Sequence, residues 1–163
     1  MTEDVPVAVR LAVPTDMALV YDSWLNSYRY RAKDNEGRPC PKCRHVVRKD
    51  VSGALITAGV RAGDYYRGQR RRIDGILARG AYVVVVHPEE APNVICAWAC
   101  LQDKDALHYV YTVEVYRHRG YAKLLVADRT VCTHTTDSRR PDSFEAWRRR
   151  MGMRFDPYLL EDR

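Results

Sequence analysis

The sequence predicts an α/β (α+β) fold, with a central, mixed, mostly antiparallel twisted sheet of about six to seven strands flanked by about four helices. Three observations carry this expectation. The segments Ala81 to His87, Val94 to Leu101 and Leu107 to Val115 are dense in valine and tyrosine and are joined by short turns, which predicts an antiparallel meander. Apolar residues recur at helical spacing before the meander. The chain of 163 residues is the size of one domain and long enough to bury a core, so residues 1–163 are read as a single domain.

The elements follow in order. Val5 to Val13, VPVAVRLAV, alternates and is rich in valine, and reads as the first strand. Pro14-Thr15-Asp16 follows, with Thr15 placed to cap a helix. Met17, Val20, Tyr21, Trp24, Leu25 and Tyr28 share a face of that helix, which runs to Tyr30. Ala32 to Asp50 is polar, contains Gly37, Pro39 and Pro41, and reads as a loop insertion. Val51 to Val60 reads as a short helix, and Asp64 to Arg79 as a longer one with Gly80 at its C-cap. The meander comes next, its turns at Pro88 to Asn93 and Gln102 to Asp105. An apolar helix from Tyr121 to Asp128, a strand from Val131 to Thr136, a helix from Ser143 to Met151 and a strand from Met153 to Leu160 complete the order β-α-α-β-β-β-α-β-α-β.

Composition narrows the function classes. No apolar run is long enough to span a bilayer, and Met1-Thr2-Glu3-Asp4 lacks the basic and apolar regions of a signal peptide. The reading is an intracellular, cytoplasmic protein with no membrane partner. Five cysteines, an odd number, argue against a disulfide framework. A formal charge of +6 favours an anionic partner without naming it. The arginine clusters Arg70 to Arg72 and Arg148 to Arg150 read first as solvated helix faces.

The segment EVYRHRGYAKLL, residues 114–125, is the candidate anion site. A loop between a strand and a helix N-terminus presents free backbone N–H groups, and the helix dipole adds positive potential. Gly120 permits close backbone approach, and Arg117 and Arg119 add charge.

Together with the element order, Arg117, His118, Arg119, Gly120, Tyr121 and Ala122 resemble the (Gln/Arg)-x-x-Gly-x-(Gly/Ala) loop of the GNAT superfamily of acetyl-CoA-dependent N-acetyltransferases. In that family the loop joins the fourth strand to the third helix. The resemblance spans nearly the whole chain, from VRLAVPTDMALVYDSWLNSYR through IDGILARGAYVVVVHPEEAPNVICAWA and YVYTVEVY to AWRRRMGM. Thr133-His134-Thr135-Thr136 adds a likeness to bacterial and bacteriophage members. The resemblance implies acetyl-CoA as co-substrate. Its pyrophosphate would lie on the backbone of Arg117 to Ala122, with Lys123 beside it, and its pantetheine arm on the backbone of Val110 and Thr112. The implied reaction is acetyl transfer to a primary amine of an unidentified acceptor: a small molecule, a protein lysine or N-terminus, or a modified nucleobase. Homodimers are common in the family, but the sequence carries no signal for one.

Such a transfer needs a base for the ammonium, a donor for the oxyanion and an acid for the departing thiolate. His108 is a base candidate, expected by period-two alternation on the face of Val110 and Thr112. His134, on the strand that splays from the fourth strand in the family, is the other. Tyr111 and Tyr28 are alternative acids, and Trp24 with Tyr28 are the acceptor-side candidates. Many members carry a tyrosine acid on the last helix, where this chain has Arg148.

Cys40, Cys43 and His45 resemble half of a zinc site, but a closed site needs four ligands and no second pair follows. A polar loop without metal is preferred, in a segment placed to shape acceptor choice. Two other classes compete with the enzyme. One is a nucleic-acid-binding module, suggested by the basic balance. The other is a non-catalytic GNAT-fold protein that binds CoA or a partner, suggested by Arg148.

Overall fold

The computed structural model describes residues 5–27, 47–49, 55–57, 60–103, 105–127, 133–134, 147 and 149–156. In chain order the elements are β1 (Val7–Leu11), α1 (Met17–Ser27), β2 (Val47–Lys49), β3 (Leu55–Thr57), β4 (Val60–Arg61), α2 (Ala62–Ala78), β5 (Tyr82–Pro88), β6 (Ala97–Gln102), β7 (Ala106–Thr112), α3 (Tyr121–Leu124), β8 (Thr133–His134) and β9 (Arg154–Phe155). Two compact units emerge: Met1–Ala18 with Leu77–Arg163, and Leu19–Ile76.

The first unit is built on a six-stranded sheet in the order β1-β5-β6-β7-β8-β9. β1, β5, β6 and β7 pair antiparallel, and β8 and β9 add parallel. The sheet is therefore mixed and mostly antiparallel, as the sequence predicts. Short turns join β5, β6 and β7, and two-residue alternation cannot be read in β6 because every residue of it is buried. A strand covered on both faces is apolar throughout rather than alternating. One face carries Val84, Val86, Ala97, Ala99, Leu101 and Leu107, packed with Tyr121, Leu125, Val126, Trp147 and Met153.

A polar contact fixes the start of this unit. Arg10 reaches Asp16 with its two terminal nitrogens, at 2.5 and 3.1 Å, and gives a further hydrogen bond to the Pro92 carbonyl at 2.8 Å. Asp16 also accepts the Val13 N–H at 2.8 Å. The capping oxygen in this turn is thus a carboxylate of Asp16, not the Thr15 hydroxyl expected from sequence. Hydrogen bonding from Arg10 holds the Asp16 carboxyl below its ordinary range, against the opposing effect of burial.

In the second unit, α1 and α2 are joined by side-chain bonds. Tyr21 donates to Asp74 at 2.5 Å, and Tyr66 to Asn26 at 2.9 Å. β2, β3 and β4 form a three-stranded antiparallel sheet. This corrects two expectations: the stretch Val51 to Val60, expected to be a short helix, contains β3 and the first residue of β4, and the segment expected to be a loop to Asp50 contains β2. Ile56, Thr57 and Val60 are β-branched and favour strands, while Gly53 and Gly59 weaken a helix. Gly80 is left-handed, with φ 91°, and its N–H donates to the Leu77 carbonyl at 3.1 Å, as a C-cap glycine should.

The helix expected over Tyr121 to Asp128 is shorter than its apolar pattern. Only four residues are α-helical, after which the Val126 and Ala127 amides bond three residues back. The apolar residues are nonetheless buried: Tyr121, Leu125 and Val126 enter the core. Among the described residues no helix is long and apolar enough to cross a membrane.

Candidate functional site

The site is built on the last turn of β7 and the loop that follows. The Val113 N–H donates to the Cys96 carbonyl on the β6 side at 3.0 Å. In an antiparallel pair the backbone groups of alternate residues point to opposite edges. Tyr111 therefore turns its backbone groups toward β6, and Val110 and Thr112 turn theirs to the other edge. β8 pairs there only with Ala106 and Leu107. The β7 edge at Val110 and Thr112 is thus open among the described residues. One group already uses it: Arg117 Nε donates to the Thr112 carbonyl at 3.4 Å.

Glu114–Tyr116 form a short 3₁₀ turn, and the loop then takes two left-handed residues, His118 with φ 66° and Gly120 with φ 81°. At Gly120 such a backbone suits glycine and strains any other residue. The Arg117 N–H is bonded to the Glu114 carbonyl at 3.2 Å, and the Lys123 N–H to the Gly120 carbonyl at 2.9 Å. Between them, the N–H groups of His118, Arg119, Gly120, Tyr121 and Ala122 have no hydrogen bond among the described residues. His118, Arg119 and Gly120 are exposed. A run of unpartnered amides is what an anion needs. The four-residue α3 adds little dipole, so the amides and arginines carry the positive potential instead.

The arginines flank this run. Arg117 also approaches Glu114 at 3.6 Å. Arg119 lies over the Tyr116 ring with its guanidinium carbon 5.8 Å from the centroid, within the reach of about 6 Å at which such contacts are attractive. The Tyr121 ring is in the core, 6.4 Å from that of Tyr116, so Tyr121 can offer a ligand only its backbone. The Lys123 side chain is exposed.

His108 does not lie where alternation places it. Cys100 stands opposite Tyr109, and Leu101 opposite Leu107, so β7 holds one extra residue, His108, in a β-bulge. Leu107 shares the face of Val110 and Thr112. His108 lies on the opposite face with Tyr109 and Tyr111, because its Nε2 meets Gln102 Oε1 at 2.9 Å. Gln102 in turn shares a face with Trp98 and Cys100. The Tyr109 and Tyr111 rings lie 5.1 and 6.4 Å from that of Trp98. His108 is 1% exposed and Tyr111 is half-buried. Gln102, expected to open the turn Gln102 to Asp105, is instead the buried last residue of β6; its place at the end of an otherwise apolar strand, six residues before a histidine, is the signal for it.

His134 lies on β8, beside Leu107 and Phe155 in the sheet register. Trp24 is in α1 of the second unit, and its side chain is 4% exposed. Tyr28, Cys40, Cys43, His45 and Arg148 lie outside the described residues. Among the described residues no group of three His, Cys, Asp or Glu side chains could hold a metal ion. In α2, Arg70 of the Arg70 to Arg72 cluster pairs with Asp74 at 3.9 Å, and Arg67 before it pairs with Asp64 at 2.7 Å, all on exposed positions.

No known family's sequence profile matches the chain. No curated protein matches it either. Among solved structures it is similar to a transcriptional regulator from Bacillus halodurans C-125, with 15% identity, 91% of this chain and 93% of that one covered, and a TM-score of 0.51. It is also similar to a GCN5-related N-acetyltransferase (aminotransferase, class-II) from Rhodopseudomonas palustris, with 15% identity, 91% and 82% covered, and a TM-score of 0.49. At 15% identity the first likeness is one of fold alone, and the second, below 0.5, adds nothing to it.

Proposed function

We propose that the chain is a GNAT-type N-acetyltransferase that moves an acetyl group from acetyl-CoA to a primary amine. The observation that supports it most is the run of backbone N–H groups from His118 to Ala122 that have no hydrogen bond among the described residues, placed directly after a strand edge that is open among those residues. These residues fit the co-substrate. The amides and the Arg117 and Arg119 side chains would hold its phosphates, and the Val110 and Thr112 backbone would pair with its extended arm. An added Cβ at Gly120 would meet nothing within 4 Å, so the space over the loop is open to a ligand. Bound acetyl-CoA supplies the acetyl thioester.

The chain's own residues would then position and move protons. Pairing along the β7 edge orders the arm, since an added strand gains main-chain hydrogen bonds. His108 is the proposed base for the amine, because a histidine suits proton transfer near neutral pH. Its burial means that the proton reaches it by relay through water or through side chains that the acceptor displaces. Tyr111 is the proposed acid for the thiolate among the described residues.

Titration calorimetry and thermal shift with acetyl-CoA and CoA test the first half. Binding should be in the micromolar range, about −8 kcal/mol, and Gly120→Val should abolish it. No heat and no shift would remove the reading. Release of free thiol from acetyl-CoA in the presence of an amine panel tests the transfer itself.

A further inference from the structure

We infer that β1 is a self-association surface, and that its partner is β1 of a second copy of this chain, paired antiparallel about a two-fold axis at Val9. The inference goes beyond the transferase reading and does not depend on it. β1 stands first in the six-stranded sheet and pairs only with β5 among the described residues. The Ala12 N–H donates to the Val83 carbonyl at 2.8 Å, and the Glu89 N–H to the Pro6 carbonyl at 3.0 Å. Even-numbered residues of the strand therefore turn their backbone groups toward β5, and Val7, Val9 and Leu11 turn theirs to the outer edge. Of these outer groups, only the Leu11 carbonyl takes a bond among the described residues, from Arg10 Nη1 at 3.0 Å. A carbonyl oxygen keeps a second lone pair.

The side chains at this edge are apolar. Val9 stands opposite Val86 and Leu11 opposite Val84, so they share the face of those two buried valines. Yet Val9 is 46% exposed and Leu11 62%, and Val5 and Val13, at the same two-residue spacing, are exposed too. The core face thus continues past Val84 and Val86 into solvent. Edge strands are ordinarily guarded by a charge, a proline or a bulge. The register of β1 is regular, and Pro6 turns its carbonyl to β5. The strand's single charge, Arg10, is tied to Asp16 and to the Pro92 carbonyl.

The choice of occupant follows from the strand's own sequence. About a two-fold axis, residue i meets residue j and j meets i. Centred on Val9, the axis sets Val9 opposite its counterpart, Val7 opposite Leu11 and Val5 opposite Val13, all apolar, and Arg10 opposite Ala8. Centred on Arg10, it would set two arginines against each other, which repels. Centred on Ala8, it would leave Val13 without an apolar partner in the strand. Strands five residues long bury less than the roughly 1,200 Å² at which stable interfaces begin, so a dissociation constant of about 1–100 μM is expected.

Sedimentation velocity on the full chain, from about 1 μM to about 1 mM, should show a monomer–dimer equilibrium. Leu11→Lys should weaken the dimer at least about tenfold with an unchanged far-ultraviolet spectrum, since it puts a charge on an exposed edge position. Val9→Pro should do the same, because the N–H it removes faces outward and not β5. Under mild oxidation Val9→Cys should give a covalent dimer above the background of the five native cysteines. Hydrogen-bonded residues directly opposite each other lie about 5.5 Å apart at Cα, within disulfide range. Val5→Cys, whose counterpart lies at the far end of the paired strands, should stay at background. A chain that is monomeric throughout overturns the inference, since the edge would then belong to another partner or to none. So does a dimer that Leu11→Lys leaves intact, or cross-linking of Val5→Cys as ready as that of Val9→Cys. If Val9→Pro does not fold, Leu11→Lys and the cross-links decide.

Discussion

Arg117 Nε donates to the carbonyl of Thr112 at 3.4 Å, so a side chain from the loop reaches back to the open edge of β7. The same arginine lies 3.6 Å from Glu114, which is largely exposed, so that ion pair contributes little. In the proposed function Arg117 must leave the Thr112 carbonyl before an extended ligand can pair there, and its charge then serves the phosphates. Arg117→Ala should weaken acetyl-CoA binding about tenfold, the loss of one charge-assisted contact. It should leave S-acetylpantetheine, which lacks the pyrophosphate, unchanged or slightly tighter. Calorimetry with both ligands checks this; equal weakening of the two would show that Arg117 does not act on the phosphates.

Gly68 sits inside α2, is exposed, and would give an added Cβ nothing within 4 Å to meet. Its backbone is helical, so alanine fits without strain. Gly68→Ala should stabilise the protein by about 0.5–1 kcal/mol, because alanine loses less chain entropy in a helix. A raised denaturation midpoint with an unchanged slope is the expected result.

Asp16 is 5% exposed and bonded to Arg10 and to the Val13 amide. Asp16→Asn should cost about 2 kcal/mol, the range for a hydrogen bond to a charged group in a partly buried place. The sign of the pH effect follows from the lowered carboxyl, chiefly the work of Arg10's hydrogen bonds. Stability from this group is fully present above the unfolded carboxylate range, near pH 4, and is lost as pH falls through the lower folded value. Urea titrations between pH 7 and pH 3 should show a steeper acid loss in wild type than in Asp16→Asn.

Much of this fold was legible because its signals are local. The valine-dense strands and the α1 stripe announce themselves over several residues, and Gly80 marks its turn by needing a left-handed backbone. The misreadings have physical causes as well. β2, β3 and β4 are two or three residues long, too short for any period to appear. The apolar run after Gly120 suggests a longer α-helix than forms, because burial alone does not say whether the backbone turns by three or by four residues. Alternation alone puts His108 on the face of Val110, because a bulge is a property of two strands and no single strand's sequence contains it. The loop itself was visible, but which of its amides are already bonded depends on the 3₁₀ turn before it and the cap of α3 after it.

The two described free cysteines provide a test of core integrity. Burial pushes the Cys100 thiol up to about 12, and it also raises that of Cys96, with Arg119 pulling the other way. Both side chains are essentially inaccessible, at 0% and 1% exposed. Only the thiolate reacts appreciably with alkylating reagents. Iodoacetamide at pH 8, followed by peptide mass spectrometry, should leave Cys96 and Cys100 unmodified in the native protein and label both in denaturant. Native labelling of Cys100 would contradict the packing of β6.

The bulge in β7 also means that the strand's register does not depend on its full length. Taking one residue from the middle of a regular paired strand inverts every side chain on one side of the cut, core outward and surface inward. Excising His108 would do the reverse. Leu107 and Tyr109 would become neighbours already opposite Leu101 and Cys100, and the ladder would run unbroken with each remaining residue on its present face. The strand pairing would therefore survive the loss of this residue, and what would go with it is the buried ring and its bond to Gln102.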